Sequence, residues 1–90
     1  MTYHYLPTFL KIISKLSSHE KKKVQETVER TILFFDQGIQ PKGLGLKKLR
    51  HSYWEVRVDL SLRILFEYKG SAVTFIIVGN HNDIQRILKR

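Results

Sequence analysis

Two hydrophobic rhythms divide this chain. In the first half, Phe9, Leu10, Ile12, Ile13 and Leu16 recur at helical spacing, so residues 8–16 read as a short amphipathic helix. Pro7 suits its first turn, where a missing N–H goes unused, and residues 2–6 ahead of it can form a short strand. Ser17 with Glu20 makes a Ser-x-x-Glu capping box, a start signal for a second helix. Val24, Val28, Ile32 and Phe35 then form one stripe on that helix, and Gly38 is a plausible stop. These elements predict a helical hairpin.

Past "GIQPKG" the period shortens to two. Leu44, Leu46 and Leu49 indicate a strand. Trp54, Val56, Val58 and Leu60 alternate with Glu55, Arg57 and Asp59, as on a half-buried strand. Leu62, Ile64, Phe66 and Tyr68 alternate in the same way after an Asp-Leu-Ser turn. Val73 to Val78 is apolar on both faces and should lie centrally in a sheet. Asn82 or Asp83 can cap a last short helix, Ile84 to Lys89. The resulting layout is β-α-α-β-β-β-α. It predicts an α+β fold, with two N-terminal helices on one face of a mostly antiparallel sheet of four to five strands and a short C-terminal helix. Trp54, Val56, Val58, Leu62, Ile64 and Phe66 then cover the helices. Glu55, Arg57, Arg63 and Glu67 point to the other face, and the strand that ends in "FIIVGNH" brings His81 to one end of it.

Ninety residues suit one domain, taken as 1–90, and a hydrophobic content of 42% argues against disorder. Charge adds more. Lys and Arg number 16 against 8 Asp and Glu, a formal charge of +8. Residues 41–90 carry 10 basic and 4 acidic side chains, so the excess is concentrated in the strand-rich half. Such a field favours a polyanionic partner: nucleic acid, an acidic protein segment or anionic lipid. With no cysteine, disulfides and thiolate metal sites are not expected, which suits a reducing cytoplasm. The opening "MTYHYLPTFL" lacks the features of a signal peptide, and no apolar run approaches a membrane span.

Arg57, Arg63 and His81 form the candidate constellation. Two arginines on neighbouring strands can grip a phosphate through paired N–H donors. A histidine beside them can move a proton near neutral pH. RNA supplies its own nucleophile, the 2′-OH, so its cleavage needs alignment, proton transfer and charge stabilisation but no metal or other cofactor. Each residue also has a plainer reading: the arginines as solvated ion pairs with Glu55, Asp59 or Glu67, and His81 as a polar strand end. The loop "PKGLGLKKLR" offers Lys42, Lys47, Lys48 and Arg50 for phosphate contact. Tyr53, facing away from Trp54, is the candidate for base stacking. Lys21 to Lys23 opposes the dipole of the second helix and reads either as a solvated face or as a polyanion contact. His4, His19 and His51 have no partner spacing for metal or catalysis, and His81 with Asp83 lacks further ligands.

The ordered set "K-x-L-R…W-E-V-R-V…L-R-I-L-F…F-I-I-V-G-N-H" resembles the RelE/ParE superfamily of bacterial toxins from type II toxin–antitoxin pairs, over nearly the whole chain and best from Gly45 to His81. The resemblance implies a ribosome-dependent mRNA endonuclease acting in the ribosomal A site, with a cognate acidic antitoxin as partner and no small-molecule substrate. It places Arg57 at a basic residue of the third strand, Arg63 at an arginine associated with phosphate stabilisation, and His81 where members carry histidine or arginine. Two positions depart from the pattern. Gln85 or Ile87 stands where many members have a tyrosine, with Arg86 as a possible functional replacement, and Glu55 stands where RelE itself has lysine. The alternatives are a ParE-like, non-nucleolytic inhibitor of DNA gyrase and an inactive binding module of the same fold.

Overall fold

The computed structural model describes residues 1–40 and 42–89; Pro41 of the basic loop and Arg90 at the end of the expected 1–90 domain lie outside the described residues. Strand β1 (Thr2–Tyr5) leads into helices α1 (Pro7–Ser14) and α2 (Ser18–Gln37). Strands β2 (Leu46–Lys48), β3 (Tyr53–Arg57), β4 (Arg63–Lys69) and β5 (Ala72–Gly79) follow, and then helix α3 (His81–Leu88). The α+β class, the helical hairpin and the sheet of four to five strands match expectation: five strands form, four of them after the hairpin. The sheet order is β1-β5-β4-β3-β2, with β1 parallel to β5 and every other pair antiparallel. β5 has neighbours on both sides, as its apolar run requires, yet the middle strand is β4.

Local chemistry sets the helix ends. Pro7 occupies the first turn of α1. The Ser17 hydroxyl accepts from the Glu20 backbone N–H at 3.1 Å, and the Glu20 carboxylate accepts from the Ser17 N–H at 3.3 Å, which completes the expected capping box. Gly38 ends α2 in the left-handed region, its N–H donating to the Phe34 carbonyl.

The helical hairpin packs on one face of the sheet. Phe9, Val24 and Val28 from the helices meet Val56, Ile64, Phe66, Val73 and Phe75 from the strands, all buried. Phe35 stands between Tyr68, Phe66 and Trp54, with ring centroids 4.8, 5.8 and 6.2 Å away. Large side chains removed from water in this way contribute about 1.5–3 kcal/mol each. The Tyr3 hydroxyl donates to Asp36 at 2.7 Å and ties β1 to the end of α2; burial, then the Asp36 carboxylate, push its pKa up.

Several boundaries differ from the sequence reading. β3 stops at Arg57 instead of running to Leu60. There the Asp59 carboxylate takes over the turn, accepting from the backbone N–H groups of Ser61 and Leu62 at 2.8 Å each. Leu60 is left 96% exposed at the tip. β2 is only three residues long, because Gly45 adopts φ 68° before it; Leu44 is buried from the loop.

The largest correction concerns α3. It starts at His81, three residues before the expected Ile84, and its cap is Asn80 rather than Asn82 or Asp83. Asp83 is the third helical residue, and Asn80 and Asp83 exchange backbone-to-side-chain bonds of 2.9 Å in each direction. Gly79 permits this, since a Cβ there would stand 2.7 Å from the Asp83 Cβ. The opposite face of the sheet is therefore only partly an open charged surface. α3 folds back over it, burying Ile84 and Leu88 against Leu65. β5 helps by inserting one extra residue: Leu65 pairs with Ile77 and Phe66 with Phe75, and both Ile76 and Ile77 pack on the α3 side.

Candidate active site

The second face divides into an apolar half beneath α3 and a polar cleft beside it. Strand register builds the cleft floor. Arg57 lies opposite Arg63, and Arg63 lies opposite Gly79, so both arginines and the β5–α3 junction form one row near the β3–β4 tip. Glu55 lies two residues along β3 from Arg57, on the same face. Directly opposed cations repel. Here the Arg63 Nη1 donates to Glu55 Oε2 in an ion pair. The Glu55 side chain is only 5% exposed, and the Arg63 guanidinium is its ion-pair partner. Arg57 is exposed and has no carboxylate partner among the described residues.

These side chains line an open cleft of about 470 Å³. Its β2 side is formed by Gly45, Leu46, Lys47 and Leu49. Its α3 side is formed by His81 and Gln85, which are four apart and share one helix face. Gly45 brings the β2 arm close to the floor: a Cβ there would stand 3.1 Å from the Arg57 Cβ, and φ 68° favours glycine. Three basic side chains, Lys47, Arg57 and Arg63, line the cleft with one acidic side chain, Glu55. The cleft is suited to an anion with room for a proton-transferring group at its edge, where His81 is exposed in the first turn of α3.

The other candidates scatter. Lys42 and Arg50 are exposed in the loops on either side of β2. Lys48 lies opposite Trp54 and so shares the face of the helical hairpin, away from the cleft. Tyr53 is half-buried against the Leu65–Ile84–Leu88 cluster. Arg86 is exposed and 3.5 Å from the Asp83 carboxylate, outside the cleft lining. Of the two positions offered for the missing tyrosine, Gln85 lines the cleft and Ile87 packs in the apolar cluster. Glu55 and Gln85, which the sequence offered only as departures from the family pattern, are members of the site. The parity of "WEVR" already put Glu55 beside Arg57. The resemblance left Gln85 and Ile87 as alternatives, and only the start of the helix at His81 puts Gln85 on the cleft side.

No family model and no curated protein matches this sequence. Solved structures do. A chain of the RelB–RelE antitoxin–toxin complex from Methanococcus jannaschii matches with a TM-score of 0.69 at 21% identity, over 93% of this chain and 96% of that one. YafQ from E. coli strain BL21(DE3) matches with a TM-score of 0.66 at 11% identity, over 91% and 94%. The YoeB–YefM complex from Staphylococcus aureus matches with a TM-score of 0.65 at 14% identity, over 90% and 97%. The fold is RelE-like.

Proposed function

We propose that this chain is the toxin of a type II toxin–antitoxin pair and that it cleaves mRNA on the ribosome. The observation that carries this reading is the meeting of Arg57, Arg63, Glu55 and His81 in one cationic cleft. The RelE-like fold, shared with chains from antitoxin–toxin complexes, supports it.

The chemistry follows from the side chains. A phosphodiester seated on Arg57 and Arg63 gains charge on its non-bridging oxygens as the 2′-oxygen attacks phosphorus, and two guanidinium groups stabilise that charge. Glu55 holds the Arg63 guanidinium in place. The 2′-OH proton leaves to an acceptor while the bond from phosphorus to the 5′-oxygen breaks and that oxygen gains a proton. His81 at the cleft edge serves one end of this exchange. With His81 on the 5′-oxygen, Glu55 is the acceptor nearest the floor. The products are a 2′,3′-cyclic phosphate and a 5′-hydroxyl. An acidic antitoxin segment laid over Lys47, Arg57 and Arg63 would neutralise the cleft.

The test is cleavage of mRNA by the purified chain on translating ribosomes, with 5′ ends mapped by primer extension. His81→Ala should slow cleavage by about 10²–10⁴, as loss of an acid–base group does, and leave the melting temperature and antitoxin binding close to wild type. Arg63→Ala should slow it similarly and also weaken ribosome binding. Wild-type cleavage by His81→Ala would reduce His81 to a polar helix start. DNA cleavage complexes with gyrase, in place of RNA ends, would establish the ParE-like alternative.

A further inference from the structure

We infer that Gly45 is a positioning residue: its missing side chain leaves Arg57 the room to lie on the cleft floor beside Arg63. This rests on the reading of the cleft as an RNA-cleaving site and deepens it, by naming what lets two like charges stay together where a phosphate binds.

The strand register sets four residues in one row. Leu46 lies opposite Val56, so Gly45 comes opposite Arg57, and the Arg57 N–H donates to the Gly45 carbonyl at 3.4 Å. Arg57 lies opposite Arg63, and Arg63 lies opposite Gly79. The arginine pair is therefore flanked by a glycine at each end. Each glycine yields its side-chain space to a neighbour. At Gly79 that neighbour is Asp83, which closes the first turn of α3. At Gly45 it is Arg57, whose Cβ would stand 3.1 Å from a Cβ placed there. Cross-strand neighbours ordinarily keep their Cβ atoms about 4.5–5.5 Å apart. No side chain fits beside Arg57 at this register.

Arg57 needs this room because no ion pair holds it. Arg63 is drawn to Glu55, while Arg57 has no carboxylate partner among the described residues. The like charge of Arg63 pushes Arg57 towards the Gly45 side. A side chain at position 45 would close that side and turn the guanidinium out of the cleft into solvent. The loop cannot yield instead. Leu44 is 3% exposed in the main core, and Leu46 pairs with Val56 and packs on the same core, so Gly45 is pinned from both sides. Its φ of 68° is a separate reason for glycine, and one that the test must separate from crowding.

The experiment measures mRNA cleavage on translating ribosomes for wild type, Gly45→Ala, Gly45→Asn and Arg57→Ala. Misplacing a group of this kind costs up to about 10²-fold, so Gly45→Ala should slow cleavage by about 10–10²-fold. Gly45→Asn, which tolerates a positive φ, crowds Arg57 with less backbone strain and should show the same loss if Gly45→Ala fails to fold. In the Arg57→Ala background either change should cost less than about threefold, because the guanidinium it displaces is already gone. A chain assembled with D-alanine in place of Gly45 accepts the positive φ and turns its methyl away from Arg57. It should cleave at least about tenfold faster than Gly45→Ala. Equal losses with D- and L-alanine, or a loss undiminished in the Arg57→Ala background, overturn the inference and leave the cleavage reading intact. Inorganic phosphate gives a readout without cleavage: it should shift the Arg57 Nε–H signal in 15N spectra of wild type and of the D-alanine chain, and much less in Gly45→Ala and Gly45→Asn. If wild type makes no cuts, the cleavage reading falls, and equal phosphate shifts in all these chains would overturn the role of Gly45 as well.

Discussion

The two faces of the sheet solve different problems. The face under the helical hairpin is dry: Phe9, Phe66, Phe75, Val56 and Ile64 are each 1% exposed or less, and the aromatic rings interlock. The other face is split. Leu65, Ile84 and Leu88 make a small second core, and beside it lie Glu55, Arg57, Arg63 and His81. The first face gives the sheet its stability and rigidity. The second uses that rigidity to hold two like charges opposite each other, an arrangement that a sheet would otherwise avoid. The charged cleft lies where packing is incomplete, on the reverse of the same strands whose other face is fully packed.

The separation can be broken from the core. Phe66→Ala removes a fully buried ring that touches Phe35, Trp54 and Phe75, and should cost about 3–5 kcal/mol. Denaturant unfolding would show it, and activity should be lost because both faces share β4. A loss below about 1 kcal/mol would mean that the hairpin face is not the main core.

Gly79→Ala is a sharper cut. The new Cβ would meet the Asp83 Cβ at 2.7 Å, so the first turn of α3 must shift. We expect about 1–3 kcal/mol of destabilisation. Hydrogen exchange should accelerate in α3 more than in α1 and α2, and cleavage should fall as His81 and Gln85 move. Uniform exchange changes over the whole molecule would contradict the independence of the two faces.

Asp59→Asn tests the join between them. Asp59 holds the β3–β4 tip through the Ser61 and Leu62 N–H groups and meets Lys23 of α2 at 3.3 Å. The Leu62 N–H first, then that of Ser61, lower its pKa from 3.8 to about 2. The carboxylate's stabilisation is thus complete above about pH 4 and is lost as pH falls through about 2. The variant should be less stable by about 1–2 kcal/mol at pH 7. The gap between the two melting temperatures should close on acidification to pH 2; a gap constant with pH would mean that the charge plays no part.

Much of this was legible in the chain itself. Helical spacing, the Ser17–Glu20 box and Gly38 determine the hairpin, because those signals act within a few residues. Strict alternation from Trp54 to Tyr68 determines which side chains share a face, and so puts Arg57 and Arg63 on the side away from the helices. Three things waited for the tertiary structure. The start of α3 depended on Asp83 reaching back to Asn80 over a glycine, a close approach that residue spacing does not reveal. The second core depended on the extra residue in β5, which turns both Ile76 and Ile77 to one side where alternation would have divided them. The pairing of Glu55 with Arg63, and the place of Gln85 beside His81, depended on the register between β3 and β4 and on the path of α3. Local periodicity carries the first kind of information. The second kind arises only when distant segments meet, because it is their mutual packing that selects one register from several that the pattern allows.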